Sequence, residues 1–367
     1  MKSLYRFFHS DASGGVVLML AAVLAMVVAN SPLYPAYQAA LKPSLFWIND
    51  LLMAFFFLLA GLEIKRELKT GALSSPSRAF LPVAAAAGGM LVPALIFLAV
   101  NLDTPRFYHG WAIPTATDIA FALGALALVS SRVPVALKIL LTAIAVIDDL
   151  GAILVIAVFY TDHLNVMALG LTALFSAALY GLNRFNVRSY MPYFMIGTGL
   201  WTAMLWSGLH PTLAGVILAF AIPTPDLKRL QNVIHPYVVF GVLPVFGFAN
   251  AGVSLAGFDF GDLFHPVTLG IALGLFIGKQ IGIFGTIYVL VKMRICALSD
   301  GLTWPQVYGM SLLCGVGFTM ALFVGGLAFT GDTMAAYVRV GVLAGSLLSA
   351  VLGCTVLYKV SHPPAPK

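Results

Sequence analysis

The chain is written in apolar runs of about twenty residues, separated by short polar or Gly/Pro-rich breaks. A helix rises about 1.5 Å per residue, so about twenty residues cross the roughly 30 Å hydrocarbon core of a bilayer. Counting the runs predicts about twelve spans, near residues 12–30, 44–64, 80–100, 109–130, 139–160, 165–182, 190–206, 208–222, 236–255, 267–291, 305–328 and 336–358. The seventh and eighth are short, and their boundary falls at Ser207-Gly208-Leu209-His210. The composition agrees: 60% of the 367 residues are hydrophobic and 9% charged, against about 25% charged in a soluble domain. The expected fold is an all-α polytopic membrane protein, with residues 1–367 forming a single transmembrane domain. No polar segment is long enough to fold as a soluble domain.

A net charge of +6 would suggest nucleic acid as the partner of a soluble protein. In a membrane protein it reports topology instead, and the lipid bilayer is the expected surrounding. With the N-terminus inside, all of the 20 Lys and Arg residues except Lys42, Arg106, Arg339 and the mid-span Lys279 fall on the cytoplasmic side. That asymmetry supports the span count and places both termini in the cytoplasm. Residues 1–11 are polar and the apolar run after them is long enough to remain as a span, so no cleavable signal is expected. Cys296, Cys314 and Cys354 have neither metal-ligand spacing nor an even count, and read as buried free thiols.

Asp148 and Asp149 stand side by side in the middle of the run 139–160. One Asp at the centre of a spanning helix costs about 2.5–3.5 kcal/mol on insertion scales. Two adjacent ones point to a functional site in a water-filled cavity, one that handles cations or protons. About 100° of helical rotation separates them. One can face a cation pathway while the other turns to a partner.

Two spans carry helix-breaking chemistry at mid-depth: Ala112-Ile113-Pro114-Thr115-Ala116-Thr117-Asp118 in the fourth and Cys314-Gly315-Val316-Gly317-Phe318-Thr319-Met320 in the eleventh. Proline removes a backbone donor, and each glycine weakens a helix by about 1 kcal/mol relative to Ala. Either the helices are kinked but continuous, or Pro114, Gly315 and Gly317 mark discontinuous helices whose freed backbone lines a cavity. Interrupted spans at corresponding places in two repeats point to a transporter binding site. The third to fifth and tenth to twelfth spans would correspond, as inverted repeats.

Lys279 lies at the centre of Leu275-Phe276-Ile277-Gly278-Lys279-Gln280-Ile281-Gly282, too deep to snorkel to either interface. Its ammonium calls for a buried carboxylate partner, and three carboxylates lie at the same depth. Half-helix ends carry about half a unit charge, positive at N-termini and negative at C-termini. Asp118 is suited to balance facing N-terminal ends, and Lys279 facing C-terminal ends. Hard oxygen ligands on Asp148, Asp149 and Thr117 suit a small alkali cation. Sharing those carboxylates between cation and protons makes binding competitive and pH-dependent.

At these residues the chain resembles the bacterial NhaA-type sodium/proton antiporters, a family that exemplifies inverted-repeat transporters. The resemblance runs from Arg6-Phe7-Phe8 to the last span, through Ala60-Gly61-Leu62-Glu63-Ile64-Lys65-Arg66-Glu67, Ala116-Thr117-Asp118, Ile147-Asp148-Asp149, Phe248-Ala249-Asn250, Gly278-Lys279 and the stretch 314–320. It implies two crossed, broken helices near Asp118 and Gly317. It implies Asp149 and Asp148 as central cation and proton carriers, Thr117 beside them, and Lys279 paired with Asp148. It implies a transporter and not an enzyme, without cofactor, that exports Na+ or Li+ against about two H+ across the bacterial inner membrane.

The resemblance also implies a pH-response region of Glu63, Arg66, Glu67, Lys228 and His235 at a cytoplasmic funnel, with His210 linked to it. Lys65, Lys69 and Arg78 read equally well as an ordinary positive-inside loop. Gln231 and Asn232 stand where the family pattern can carry Glu and His, which leaves the pH set point open. Residues 31–44 are too few for the β-hairpin that some relatives use at a dimer interface, so a homodimer would rely on helix contacts. The competing readings are a sodium-coupled solute symporter of the same architecture, a passive channel, and a membrane-embedded aspartic hydrolase. The last needs two carboxylates facing one another, whereas adjacent residues on a helix diverge.

Overall fold

The structure, a computed structural model, describes residues 11–129, 132–161, 164–254, 260–299 and 301–361. Lys2, Arg6 and Lys367 of the charge pattern, and the Arg6-Phe7-Phe8 start of the family resemblance, lie outside the described residues. Among the described residues every regular element is helical. Seven helices are long and apolar enough to cross a membrane: α3 (Trp47–Thr70), α4 (Pro76–Val100), α6 (Val135–Phe159), α7 (Val166–Arg184), α10 (Thr224–Ala251), α11 (Pro266–Lys292) and α14 (Asp332–Val360).

Two further spans are bent pairs. The segment Pro105–Thr115 meets α5 (Ile119–Leu128) at 49°, and α12 (Trp304–Leu313) meets α13 (Phe318–Ala328) at 43°. Residues 116–118 and 314–317 between them are not helical, so the discontinuous alternative holds at both breaks. Among the described residues the count of spans on length and composition is thus seven, or up to nine with the bent pairs. The other three expected runs are helical over α1 (Asp11–Ala29), α8 (Tyr190–Ser207) and α9 (Leu213–Ala221), which are shorter or less apolar. At about 1.5 Å per residue, the nine residues of α9 reach only about 14 Å.

Local chemistry explains where the sequence reading was off. Pro105–Thr115 is a 3₁₀ helix, unusually long for its type. Pro105 starts it, and Pro114 cannot supply a backbone N–H. Gly208 ends α8 at φ 88°, a left-handed conformation that favours glycine, and this fixes the boundary left open at Ser207–His210. The helix expected from residue 236 begins at Thr224. Its first turns are amphipathic: Leu227, Leu230 and Ile234 are buried while Lys228, Arg229 and Asn232 face outward. Residues 31–44 hold the short helix α2 (Tyr34–Leu41).

Lys65 also departs from its reading as part of a positive-inside loop. It is 8% exposed, and its ammonium donates to Phe220 O (2.7 Å) and to Ile222 O at the end of α9. Asn183 Nδ2 donates to Ala221 O at 2.6 Å beside it. The last carbonyls of a short helix have no intrahelical partner, and these two side chains supply them.

Candidate ion-binding site

The two breaks touch. The Asp118 N–H donates to Val316 O at 2.7 Å, and Thr117 Oγ1 lies 2.9 Å from Cys314 O. A Cβ on Gly317 would stand 2.7 Å from Leu275 Cδ2 and 3.1 Å from Ala116 O, and one on Gly315 2.5 Å from Leu275 O. The glycines therefore permit backbone-to-backbone approach at the crossing.

Asp118, 2% exposed, is an N-cap for both second halves. Its Oδ1 accepts from Phe121 N of α5 at 2.9 Å. Its Oδ2 accepts from Thr319 N (2.9 Å) and Thr319 Oγ1 (2.5 Å) of α13. A carboxylate at two converging helix N-termini meets orphan N–H groups and the positive ends of both dipoles. Ser346 Oγ of α14 accepts from Gly317 N and Phe318 N, each at 3.2 Å, completing the end of α13.

The C-terminal ends lie toward Lys279. Its Nζ donates to Thr115 O, the last residue of the 3₁₀ segment, and to Asp148 Oδ2, both at 2.6 Å. Both side chains of this ion pair are fully buried. The carbonyl of Cys314, where α12 ends, is met by Thr117 rather than by Lys279. Thr117 Oγ1 also lies 2.7 Å from Asp148 Oδ2, and its single proton serves one of these acceptors at a time.

Asp149 faces away from this cluster. It is 4% exposed, its Oδ1 accepts no hydrogen bond from the protein, and it lines a cavity of about 890 Å³. Thr117 is bonded to Asp148 and not to Asp149. Residues of α1, α3, α5, α6 and α10 wall the cavity, which runs from the exposed His235 and Asn232 past Glu63 and Arg66 to Asp149. Asp148 is not part of its wall. One carboxylate thus lines the cavity and its neighbour is held in a buried pair.

At the cavity mouth Gln231 Nε2 donates to Glu63 Oε1 at 3.2 Å and Gln231 Oε1 accepts from Arg66 at 2.8 Å. Arg66 reaches Glu67 at 3.2 Å, and Glu67 Oε2 accepts from Ala72 N at 2.9 Å. Glu63, Arg66, Glu67 and His235 are therefore brought together around the mouth. Lys228 is exposed and does not line it. His210 is not brought there either. Its Nε2 lies 3.8 Å from Asp50 Oδ1 and its Nδ1 2.8 Å from Thr212 Oγ1. Asp50 is about 20 Å from Glu63 along α3.

The family model described as Na+/H+ antiporter 1 matches residues 5–357. The Na+/H+ antiporter NhaA of Paramagnetospirillum magneticum is 54% identical over 371 residues, covering 97% of each chain. That of Pseudomonas putida is 50% identical over 388 residues, 99% of each chain. A third, from Caulobacter vibrioides, is 51% identical over 371 residues, 96% of this chain and 90% of its own. The chain belongs to this antiporter family. It is a multi-pass membrane transporter and not an enzyme, with the all-helical fold and two broken helices that the family resemblance implies.

The sequence did not single out Ser346 as part of the site, it had Thr319 only as part of a motif, and it had Gln231 only as a departure from the family's pH-response pattern. None carries a charge, and a lone Ser, Thr or Gln in an apolar helix has no signature distinct from ordinary back-bonding to a carbonyl.

Proposed function

We propose that this antiporter binds Na+, and Li+ equally by chemistry, at Asp149, with Asp148 beside it and Thr117 contributing an oxygen. The observation that carries the reading is the Asp149 carboxylate, buried and without a donor on Oδ1, on the wall of a cavity of about 890 Å³. A proton and an alkali cation compete for such a group. Asp118 and Lys279 compensate the ends of the broken helices, and Pro114, Gly315 and Gly317 allow the breaks. Lys279 exchanges its hold on Asp148 when that carboxylate takes up a proton. Glu63, Arg66, Glu67 and His235 at the mouth adjust access with pH; Lys228 and His210 act from outside that cluster.

The cycle we infer carries about two H+ inward and one Na+ outward across the bacterial inner membrane, with both termini cytoplasmic and the whole chain working as one membrane domain. One net positive charge then moves inward per cycle, gaining about 2.3 kcal/mol per 100 mV. Any homodimer would use helix contacts.

Purified protein in proteoliposomes tests this. Proton flux should follow added Na+ or Li+ but not K+, and an inside-negative potential should accelerate Na+ export. Asp149→Asn is expected to fold and to lose Na+-dependent flux. Wild-type flux in that variant would remove Asp149 from the site. Na+-coupled solute uptake, or conductance without counter-transport, would favour the symporter or the channel.

A further inference from the structure

Around Lys279, α11 changes its hydrogen-bond spacing. Gly274–Gly278 and Gln280–Phe284 are π-helical, with donors reaching five residues back. Such stretches are rare and occur frequently at functional sites. One added residue turns everything after it by about 100° relative to a plain α-helix. The π stretch therefore decides which way the Lys279 side chain leaves the helix.

This stretch has a polar brace on its other face. Gln280 Nε2 donates to Phe276 O at 2.7 Å, the carbonyl four residues back that an α-helical N–H at 280 would use. Gln280 Oε1 accepts from the Tyr308 hydroxyl of α12 at 2.6 Å. The Tyr308 ring stands edge-on to Phe284 of the same π stretch, with centroids 5.4 Å apart. Lys279 is fully buried, while Gln280, one residue on, is partly exposed and turned to α12. A side-chain amide at the middle of a span is costly to keep there. Here it ties the π stretch to the first half of a broken helix.

We infer that Gln280, braced by Tyr308, is a positioning residue for Lys279, holding α11 in the register that delivers the ammonium to Asp148 and Thr115 O. The inference rests on the reading above that the Lys279–Asp148 pair takes part in exchange. The titratable groups acting on Lys279 are Asp148 and Asp149 of α6 and Cys314 at the end of α12; α4 offers it Gly89.

The test is the pH profile of Na+-dependent proton flux in proteoliposomes, with thermal stability measured alongside. Gln280→Met keeps the length of the side chain and removes both polar atoms. It is expected to move the pH of half-maximal flux by on the order of half a unit or more. Tyr308→Phe, which removes one exposed hydroxyl and should fold, is expected to move it the same way by less. Added to Lys279→Gln, the Gln280→Met change should cause no further displacement, because the two act through one interaction. Lower stability with an unmoved profile in both Gln280→Met and Tyr308→Phe would overturn the inference, leaving the amide as a backbone partner only. An equal displacement with and without Lys279 would overturn it as well. If Lys279→Gln itself keeps the wild-type profile, the pairing fails and this inference with it. That result differs from one in which Lys279→Gln moves the profile and Gln280→Met does not, where Gln280 alone is refuted.

Discussion

Asp148 gathers two contacts on one oxygen, Lys279 at 2.6 Å and Thr117 at 2.7 Å, and its Oδ1 has none. Two buried ions lose several kcal/mol of hydration each, and their attraction offsets this only with close geometry. Removing one partner is then worse than never having had the pair. Lys279→Ala is expected to lower stability by about 3–5 kcal/mol and to alter the pH dependence of flux. Lys279→Arg keeps the charge but changes its reach and donor geometry, so it should retain part of both. Thermal unfolding and flux across pH check this, and an alanine variant with unchanged stability and profile would refute the pair's importance. At this scale the sequence was legible where charge interrupts an apolar run: Asp118, Asp148, Asp149 and Lys279 could hardly be overlooked. Ser346 and Gln280 could not be distinguished from the uncharged polar residues that spanning helices tolerate by bonding their own carbonyls.

Among the elements, the breaks were legible because Pro114 and the 315/317 glycines disturb a helix wherever they fall. What replaced the helix was not. A 3₁₀ segment, a π stretch and an amphipathic extension from Thr224 depend on packing and on partners far away in sequence. The start of α11 offers a test in the loop before the membrane. His265 is its N-cap, with Nδ1 accepting from Val267 N at 3.3 Å and the ring stacked 3.9 Å from Tyr337. Partial burial lowers the His265 pKa below its usual 6.5; Asp262 opposes this and Arg106 adds to it. A lowered folded value means that the unfolded chain takes up the proton first as pH falls. Stability from this residue is thus present above about pH 6.5 and lost on acidification toward the folded pKa. His265→Asn keeps a capping acceptor that does not titrate. Its melting temperature is expected to fall less than that of the wild type between about pH 7 and pH 5. Parallel curves for the two would show that the imidazole contributes nothing to the pH dependence.

For the molecule as a whole, the cavity at Asp149 lies toward one end of the described residues. The cavity opens beside Arg66 and His235, whereas the far end of α10 is tied down. There Tyr37 OH donates to Phe248 O (2.5 Å), Arg339 to Gly252 O (3.2 Å) and Asn30 Nδ2 to Val253 O (2.7 Å). Asn250 Nδ2 also donates to Asn49 Oδ1 of α3 at 2.8 Å. Transport with the site exposed to one side at a time requires a second arrangement in which these ties open and the cavity closes. Substituted cysteines can read the arrangement seen here. In a background with Cys296, Cys314 and Cys354 replaced by Ala, Val239→Cys stands on the cavity wall and Asn250→Cys behind the ties. A membrane-impermeant maleimide should label Val239→Cys in inside-out vesicles, where the Arg66 side faces the reagent in the proposed orientation, and spare it in right-side-out vesicles. Asn250→Cys should resist the reagent in inside-out vesicles under the same conditions. Na+ at alkaline pH, by populating the opposite arrangement, should slow labelling at Val239→Cys. Labelling of Val239→Cys from the opposite face alone would place the cavity on the wrong side and reverse the proposed direction of access.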